Sequence, residues 1–187
     1  MYLAVVDRDG NIASVIQSLS RTFGAGIAVE GRGFHLHNRA SGFSLDTSRP
    51  NALKPRMRPF HTIIPAFMEK GDVHIGFGII GGGNQPQAHA QFVANIVDFQ
   101  MNLQAALEAP RFMNADSNSC DVRMEQRIPA AIRQELVTRG HKVDVRGDYS
   151  SLLGPGQAVM HDSAKHVNYG ASDPRGDGAA VPESPVF

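Results

Sequence analysis

Largely apolar, β-rich runs span residues 2 to 7 and 11 to 19, with the polar turn Arg8-Asp9-Gly10 between them. An Asp-Gly turn between two such runs marks a hairpin. Glycines at 24, 26, 31 and 33 then flank a short strand from Gly26 to Val29, and Phe34 to Asn38 alternates again as a further strand. From Ala40 to Arg58 the chain is rich in Ser, Arg and Asn, and Pro50, Pro55 and Pro59 break any ladder, which predicts a long surface loop. Two strands follow, His61 to Phe67 and Val73 to Phe77, joined by the turn Glu69-Lys70-Gly71-Asp72.

Beyond Gly81-Gly82-Gly83 the period changes. Ala90, Val93, Ala94 and Val97 fall at helical spacing within a helix from Gln87 to Phe99. Leu103, Ala106 and Leu107 continue into a short second helix closed by Pro110, and a third runs from Pro129 to Gly140 with Ile132, Leu136 and Val137 on one face. Strands at Val122–Glu125, Lys142–Val145, Gln157–His161 and His166–Ala171 complete the pattern. This order predicts an α+β fold with a largely antiparallel sheet flanked by helices. At 187 residues the first reading is a single domain, residues 1–187, whose Gly/Pro-rich tail from 176 to 187 is loosely packed.

Composition narrows the classes of function. Eighteen Lys and Arg balance 18 Asp and Glu, so the chain lacks the surplus of basic residues on which nucleic-acid and anionic-membrane binding depend. Neither is expected as a partner. Met1 to Asp7 has no basic lead and no cleavage site, and is not read as a secretory signal. The single cysteine, Cys120 in the polar run Asp116 to Asp121, excludes an internal disulfide and a thiolate-rich metal site. His35 and His37 share a strand face and can approach His61 or His74, but no acid or thiol completes a ligand set; no metal or cofactor is expected.

Gly78-Ile79-Ile80-Gly81-Gly82-Gly83 stands between a strand and a helix, where successive N–H groups and the helix N-terminus form an anion-binding concavity. An oxyanion hole for acyl transfer would use it; phosphate binding fits less well, since neither a P-loop ending nor the dinucleotide spacing is present. A simple tight turn is the third reading. There is no Gly-x-Ser-x-Gly elbow, and Ser18, Ser20 and Thr62 are isolated hydroxyls near strand ends. Gly170 to Arg175 reads as a turn after a strand.

Taken in order, Val5-Val6-Asp7-Arg8-Asp9-Gly10-Asn11, Thr22-Phe23-Gly24, Arg58-Pro59, Gly81-Gly82, Ala109-Pro110-Arg111 and Gly170-Ala171-Ser172-Asp173-Pro174-Arg175 resemble the small subunit of the γ-glutamyltransferase (γ-glutamyltranspeptidase) family, from residue 1 to about residue 180. The resemblance implies an N-terminal nucleophile hydrolase fold, an αββα sandwich shared between two subunits cut from one precursor. It implies no cofactor, a small-molecule amide as substrate, and the upstream large subunit as partner. Gly81 and Gly82 match the oxyanion-hole pair, and Ser18 the hydroxyl that bonds the nucleophile. Ser20 matches an Asn near the substrate carboxylate. His61 and Thr62 stand where transpeptidases carry paired serines for the α-carboxylate, and Arg39 and Gly42 where they carry a Gln and an Asp for the α-amine. Losing that Asp removes the charge that pairs with a glutamyl ammonium. With the short 40–58 segment, it points to an acylase-like relative with a more open pocket, resembling the cephalosporin-acylase side of the family.

Counting back from Val5-Val6-Asp7, the family's nucleophilic threonine falls immediately before Met1. Methionine has no proton to lose and cannot replace it. The chain by itself is therefore expected to be inactive, the downstream part of a longer precursor, and to form homo-oligomers in isolation through uncovered apolar faces. The alternative is a non-catalytic assembly or binding module that keeps the fold without the nucleophile.

Overall fold

The structure, a computed structural model, describes residues 1–115 and 119–183; part of the polar run before Cys120 and the last residues of the tail lie outside the described residues. The chain divides into two compact units, one of Met1 with 16–63 and one of 2–15 with 64 onward.

In the larger unit, β1 (Tyr2–Val6) and β2 (Ile12–Ile16) form the predicted hairpin. Asp7 closes its turn by accepting N–H bonds from Asp9 and Asn11, both at 2.9 Å. β3 (Ala66–Lys70), β4 (Val73–Ile79), β8 (Gly156–Asp162) and β9 (Val167–Ser172) make a four-stranded antiparallel sheet in the order β3-β4-β8-β9. The expected strand from His61 begins only at Ala66, because Pro65 has no N–H to give a ladder.

Alternation along β4 sorts its side chains to two faces. Ile75, Phe77 and Ile79 face α1 (Gln85–Val97) and α2 (Leu103–Glu108), joining Ala88, Phe92, Leu103, Ala106 and Leu107 in one core. Phe77 and Phe92 stack with ring centroids 4.8 Å apart. On the other face stand Gly76 and Gly78, and the hairpin lies against them: a Cβ on Gly76 would come 2.5 Å from Ile12 Cγ2, and one on Gly78 2.7 Å from Tyr2 Cε2. Bare backbone on that face lets the two layers approach closely. Burial pushes the Tyr2 phenol up, although its hydroxyl shares a 2.6 Å hydrogen bond with Ser14. Helices, sheet and hairpin are thus three stacked layers of a mixed α+β fold.

α1 starts two residues earlier than its apolar period predicts, because Pro86 occupies its first turn. Asn102 caps α2 by accepting the Ala105 N–H at 2.9 Å. A second sheet, β5-β6-β7, was not expected in full. β5 (Phe112–Asn114) runs antiparallel to β6 (Asp121–Glu125), whereas β7 (Lys142–Arg146) runs parallel to it after the crossover helix α3 (Ala130–Thr138). The apolar stripe of α3 stays half open, with Ile132 and Val137 exposed. Beyond Arg175, the described part of the tail has no regular structure.

The smaller unit has little regular structure. The expected strands at 26–29 and 34–38 meet in a single antiparallel bridge, Ala28 to His35, because positive-φ glycines bend the chain at 24, 26, 31 and 33. Residues 39–42 form a 3₁₀ turn, and Ser44 bridges Ala52 within the long loop.

Candidate functional site

The glycine loop leaves β4 at Ile79 and enters α1 at Gln85 through a 3₁₀ turn. Gly81 has φ +140 and Gly82 φ +60, left-handed values that side-chain-bearing residues rarely adopt. Asn84 N–H bonds the Gly81 carbonyl at 3.1 Å and Gln85 N–H the Gly82 carbonyl. Gly81 and Gly82 are exposed, and their N–H groups have no acceptor among the described residues. Two adjacent unspent donors just ahead of a helix N-terminus are the elements of an oxyanion or carboxylate receptor.

Neighbouring groups fix this loop, which has no side chains of its own between Gly81 and Gly83. Ile80 N–H bonds the Pro155 carbonyl at 3.0 Å, and Asn84 Nδ2 donates to the Leu153 carbonyl at 3.0 Å. Asn84 is buried, and its Oδ1 has no partner among the described residues. Ile79 N–H donates to His89 Nε2 at 3.0 Å. That bond needs a neutral ring, and burial followed by the charge of Arg111 holds the His89 pKa below its ordinary value.

Below the loop lies a buried ionic cluster that the sequence pattern did not reveal. Arg175 binds Glu125 in a fork, Nε to Oε1 at 2.7 Å and Nη2 to Oε2 at 2.8 Å, and its Nη1 reaches Asp173 at 3.0 Å. Arg111 Nη2 pairs with Asp173 at 2.6 Å, while its Nη1 donates to the Gly154 carbonyl. Carbonyls of Leu107 and Ala109 take further donors, and the Arg127 guanidinium caps Glu125 from above the Tyr149 ring. Burial pushes Arg111 down to about 10 against the pull of Asp173. Burial alone would raise Glu125, but the hydrogen bond and charge of Arg175 hold it below the usual carboxylate range. Asp173 is therefore far more than the turn residue expected, although the Gly176 N–H does bond its carbonyl. Two arginines following Pro110 and Pro174 were the available signal; nothing in the local pattern marks Glu125.

In the smaller unit, the remaining expected residues fall into two groups. Ser18 Oγ accepts the Ser20 N–H at 2.9 Å, a local turn that holds Ser20 at φ +76. Nearby, Met1 and Gln17 exchange backbone bonds, Met1 N to Gln17 O at 3.0 Å and Gln17 N to Met1 O at 3.1 Å. The second group surrounds Arg39, which is only 8% exposed. Its Nη1 donates to Thr62 Oγ1 at 3.2 Å and its backbone N–H to His37 Nδ1 at 3.2 Å. His61 donates Nδ1–H to the Pro59 carbonyl at 2.7 Å and meets the His37 ring edge-on at 5.9 Å. His35 lies against Phe23, and on β4 His74 sits 3.4 Å from Glu69. Among the described residues no three His, Cys, Asp or Glu side chains gather where they could hold a metal ion.

Known proteins share this sequence and fold. The chain is 41% identical over 184 residues to the glutathione hydrolase-like YwrD proenzyme of Bacillus subtilis, covering 96% of this chain and 35% of that protein. It is 33% identical over 188 residues to the oxamate amidohydrolase proenzyme of Klebsiella pneumoniae, covering 97% and 35%. The chain thus spans about a third of the length of these curated relatives. Among solved structures, cephalosporin acylase from Bacillus halodurans superposes with a TM-score of 0.89 at 45% identity, over 98% of this chain and 34% of that one. A γ-glutamyltranspeptidase from Pseudomonas nitroreducens superposes with a TM-score of 0.83 at 25% identity, over 98% and 99%. The family description Gamma-glutamyltranspeptidase matches residues 1–183. This chain belongs to the γ-glutamyltranspeptidase family.

Proposed function

We propose that the chain is the small-subunit part of an enzyme that hydrolyses, or transfers the acyl group of, a small amide, working with the large subunit of the same precursor. The observation that carries this reading is the pair of unspent N–H groups at Gly81 and Gly82 ahead of α1. In acyl transfer they stabilise the tetrahedral oxyanion, and a prearranged donor of that kind is worth roughly a hundred- to a thousandfold in rate.

A threonine joined to Met1 supplies the nucleophile, its hydroxyl attacking the amide carbon while its α-amine takes the proton. Register supports this. Met1 and Gln17 form an antiparallel hydrogen-bonded pair, so the preceding residue stands opposite Ser18, whose hydroxyl keeps a proton to donate.

Co-expressing the upstream part with this chain bearing threonine before Met1 tests the reading. Hydrolysis of an activated 4-nitroanilide is expected from the assembled protein and not from the 187-residue chain. A folded, assembled protein that hydrolyses no anilide overturns the proposal and leaves a non-catalytic module.

A further inference from the structure

The second sheet ends in an open edge. β7 stands last in the order β5-β6-β7, and no strand pairs with its outer side among the described residues. Lys142 N–H bonds the Cys120 carbonyl, and the Arg146 carbonyl takes the N–H of Gln126, so residues 142, 144 and 146 direct their main-chain groups at β6. Alternation then turns the N–H and C=O of Val143 and Val145 outward. The His141 carbonyl points the same way, because it lies opposite the Lys142 N–H across one planar peptide. Its own N–H is spent on the Leu136 carbonyl at 3.0 Å. An edge with unspent donors and acceptors is a template for another strand.

Beside this edge a groove of about 760 Å³ runs between α3 and β7, lined by Ala130, Arg133 and Val137 of the helix and by Val143 and Val145 of the strand. No residue of α3 is buried, and Val137 and Val145 are about half exposed. Charge along β7 selects what covers them. Lys142-Val143-Asp144 is complementary to its own reverse: antiparallel pairing of Val143 with Val143 of a second copy sets Lys142 opposite Asp144 twice. Lys142 is available for this, its side chain 84% exposed and paired only loosely with Asp121 at 3.9 Å. Asp144 contacts Arg123 and Arg146 and is still 45% exposed. The other register, Val143 against Val145, sets Lys142 opposite Arg146 and Asp144 opposite itself, and is disfavoured by those like charges.

We infer that β7 is a homodimerisation edge, at which two copies of this chain pair β7 to β7 across a two-fold axis at Val143 and join their three-stranded sheets into one of six. The two Val143 residues exchange a pair of hydrogen bonds, and each Val145 N–H reaches the His141 carbonyl of the second copy. The axis stands perpendicular to the sheet, so both α3 helices lie on one face. Their grooves merge over a floor of Val143 and Val145 from both copies, which withdraws Val137 and Val145 from water. One short strand pair with its flanking helices is a small interface, so dissociation in roughly the micromolar range is expected. The pairing stands whether or not the protein hydrolyses an amide.

The test follows the co-expressed two-subunit protein by sedimentation velocity, from well below to well above micromolar concentration, and by amide hydrogen exchange. Particles with two copies of this chain are expected at high concentration and with one copy on dilution, the Val143 and Val145 amides exchanging slowly only in the former. Lys142→Asp turns both cross-strand pairs into like charges and weakens association roughly ten- to a hundredfold, whereas Lys142→Arg leaves it intact. Val143→Pro removes an outward N–H without touching the bonds to β6, and abolishes association. Lys142→Asp lies on the surface and keeps the parent melting point, which separates lost pairing from lost structure. One copy per particle at every concentration, or association that survives Lys142→Asp and Val143→Pro unchanged, overturns the inference. Val143 and Val145 amides that stay protected on dilution overturn it as well, and identify a strand of the large subunit as the occupant.

Discussion

Replacing Asp173 by Asn strands charge in the interior without changing the shape of the side chain. Asp173 accepts from Arg111 Nη2 at 2.6 Å, Arg175 Nη1 at 3.0 Å, and the backbone N–H groups of Arg175 at 2.9 Å and Gly156 at 3.2 Å. An amide keeps one acceptor and turns an NH₂ towards donors, leaving Arg111, Arg175 and Arg127 around Glu125 alone. Breaking a buried pair from one side costs about 3–5 kcal/mol. For a chain of this size about 2–4 °C is lost per kcal/mol, so a melting point lower by roughly 6–20 °C is expected. The control is Glu135→Gln, which breaks the exposed Arg139 pair and costs about 0.5 kcal/mol. Urea and thermal unfolding followed by circular dichroism compare the two with the parent. Arg111→Met added to Asp173→Asn removes one stranded cation and recovers part of the loss. If Asp173→Asn costs no more than Glu135→Gln, the cluster does not hold the fold as its geometry implies.

Gly82→Ala places a side chain at φ +60 with nothing within 4 Å to clash, so it acts on the backbone alone; anilide hydrolysis should fall roughly a hundredfold with little change in melting point, and unchanged kcat would remove the loop from catalysis. Gly154→Ala meets φ +86 and the Ile80 carbonyl together, so stability and activity should drop in parallel, and a variant with full activity would show that residues 153–155 do not set the loop. His89 binds fewer protons folded than unfolded between its lowered pKa and the ordinary 6.5. Unfolding free energy should therefore fall as pH drops below about 6.5, and His89→Gln should flatten that slope; identical slopes in the two proteins would refute the assignment. Phe23, Leu45 and Phe60 are more than two-thirds exposed, so the isolated chain should self-associate, and monomeric elution at high concentration would contradict this.

Local chemistry made much of the fold legible. Arg8-Asp9-Gly10 announced the first hairpin, the turn at 69–72 the second, and the apolar period of α1 survived with a shift caused by Pro86. Elements built from distant partners were not legible. β5 is three residues long, and its outer edge is satisfied by side chains: Gln91 exchanges bonds with Phe112 at 2.8 and 3.1 Å, and Gln87 with Asn114 at 2.7 and 3.4 Å. No local period encodes such a pairing. Likewise the departure at Gly42 could be read from residues, but the absence of any other acid paired with Arg39 among the described residues is a fact of three dimensions.

The donors that the proposed chemistry needs are main-chain groups, and this explains why the most informative segment was also a weak motif. Three glycines specify freedom, not a conformation. The conformation is imposed by residues 153–155, which hold Ile80 and Asn84, and these in turn are tied through the Gly154 carbonyl to Arg111. Arg111 is oriented by Asp173, and Asp173 also binds Arg175, whose other partner is Glu125. Residues spread from 80 to 175 thus converge to define two unspent N–H groups. Ala109-Pro110-Arg111 and Asp173-Pro174-Arg175 carry no reacting atom, yet they supply the rigidity that a glycine loop must have before its donors can stabilise a developing charge without reorganising.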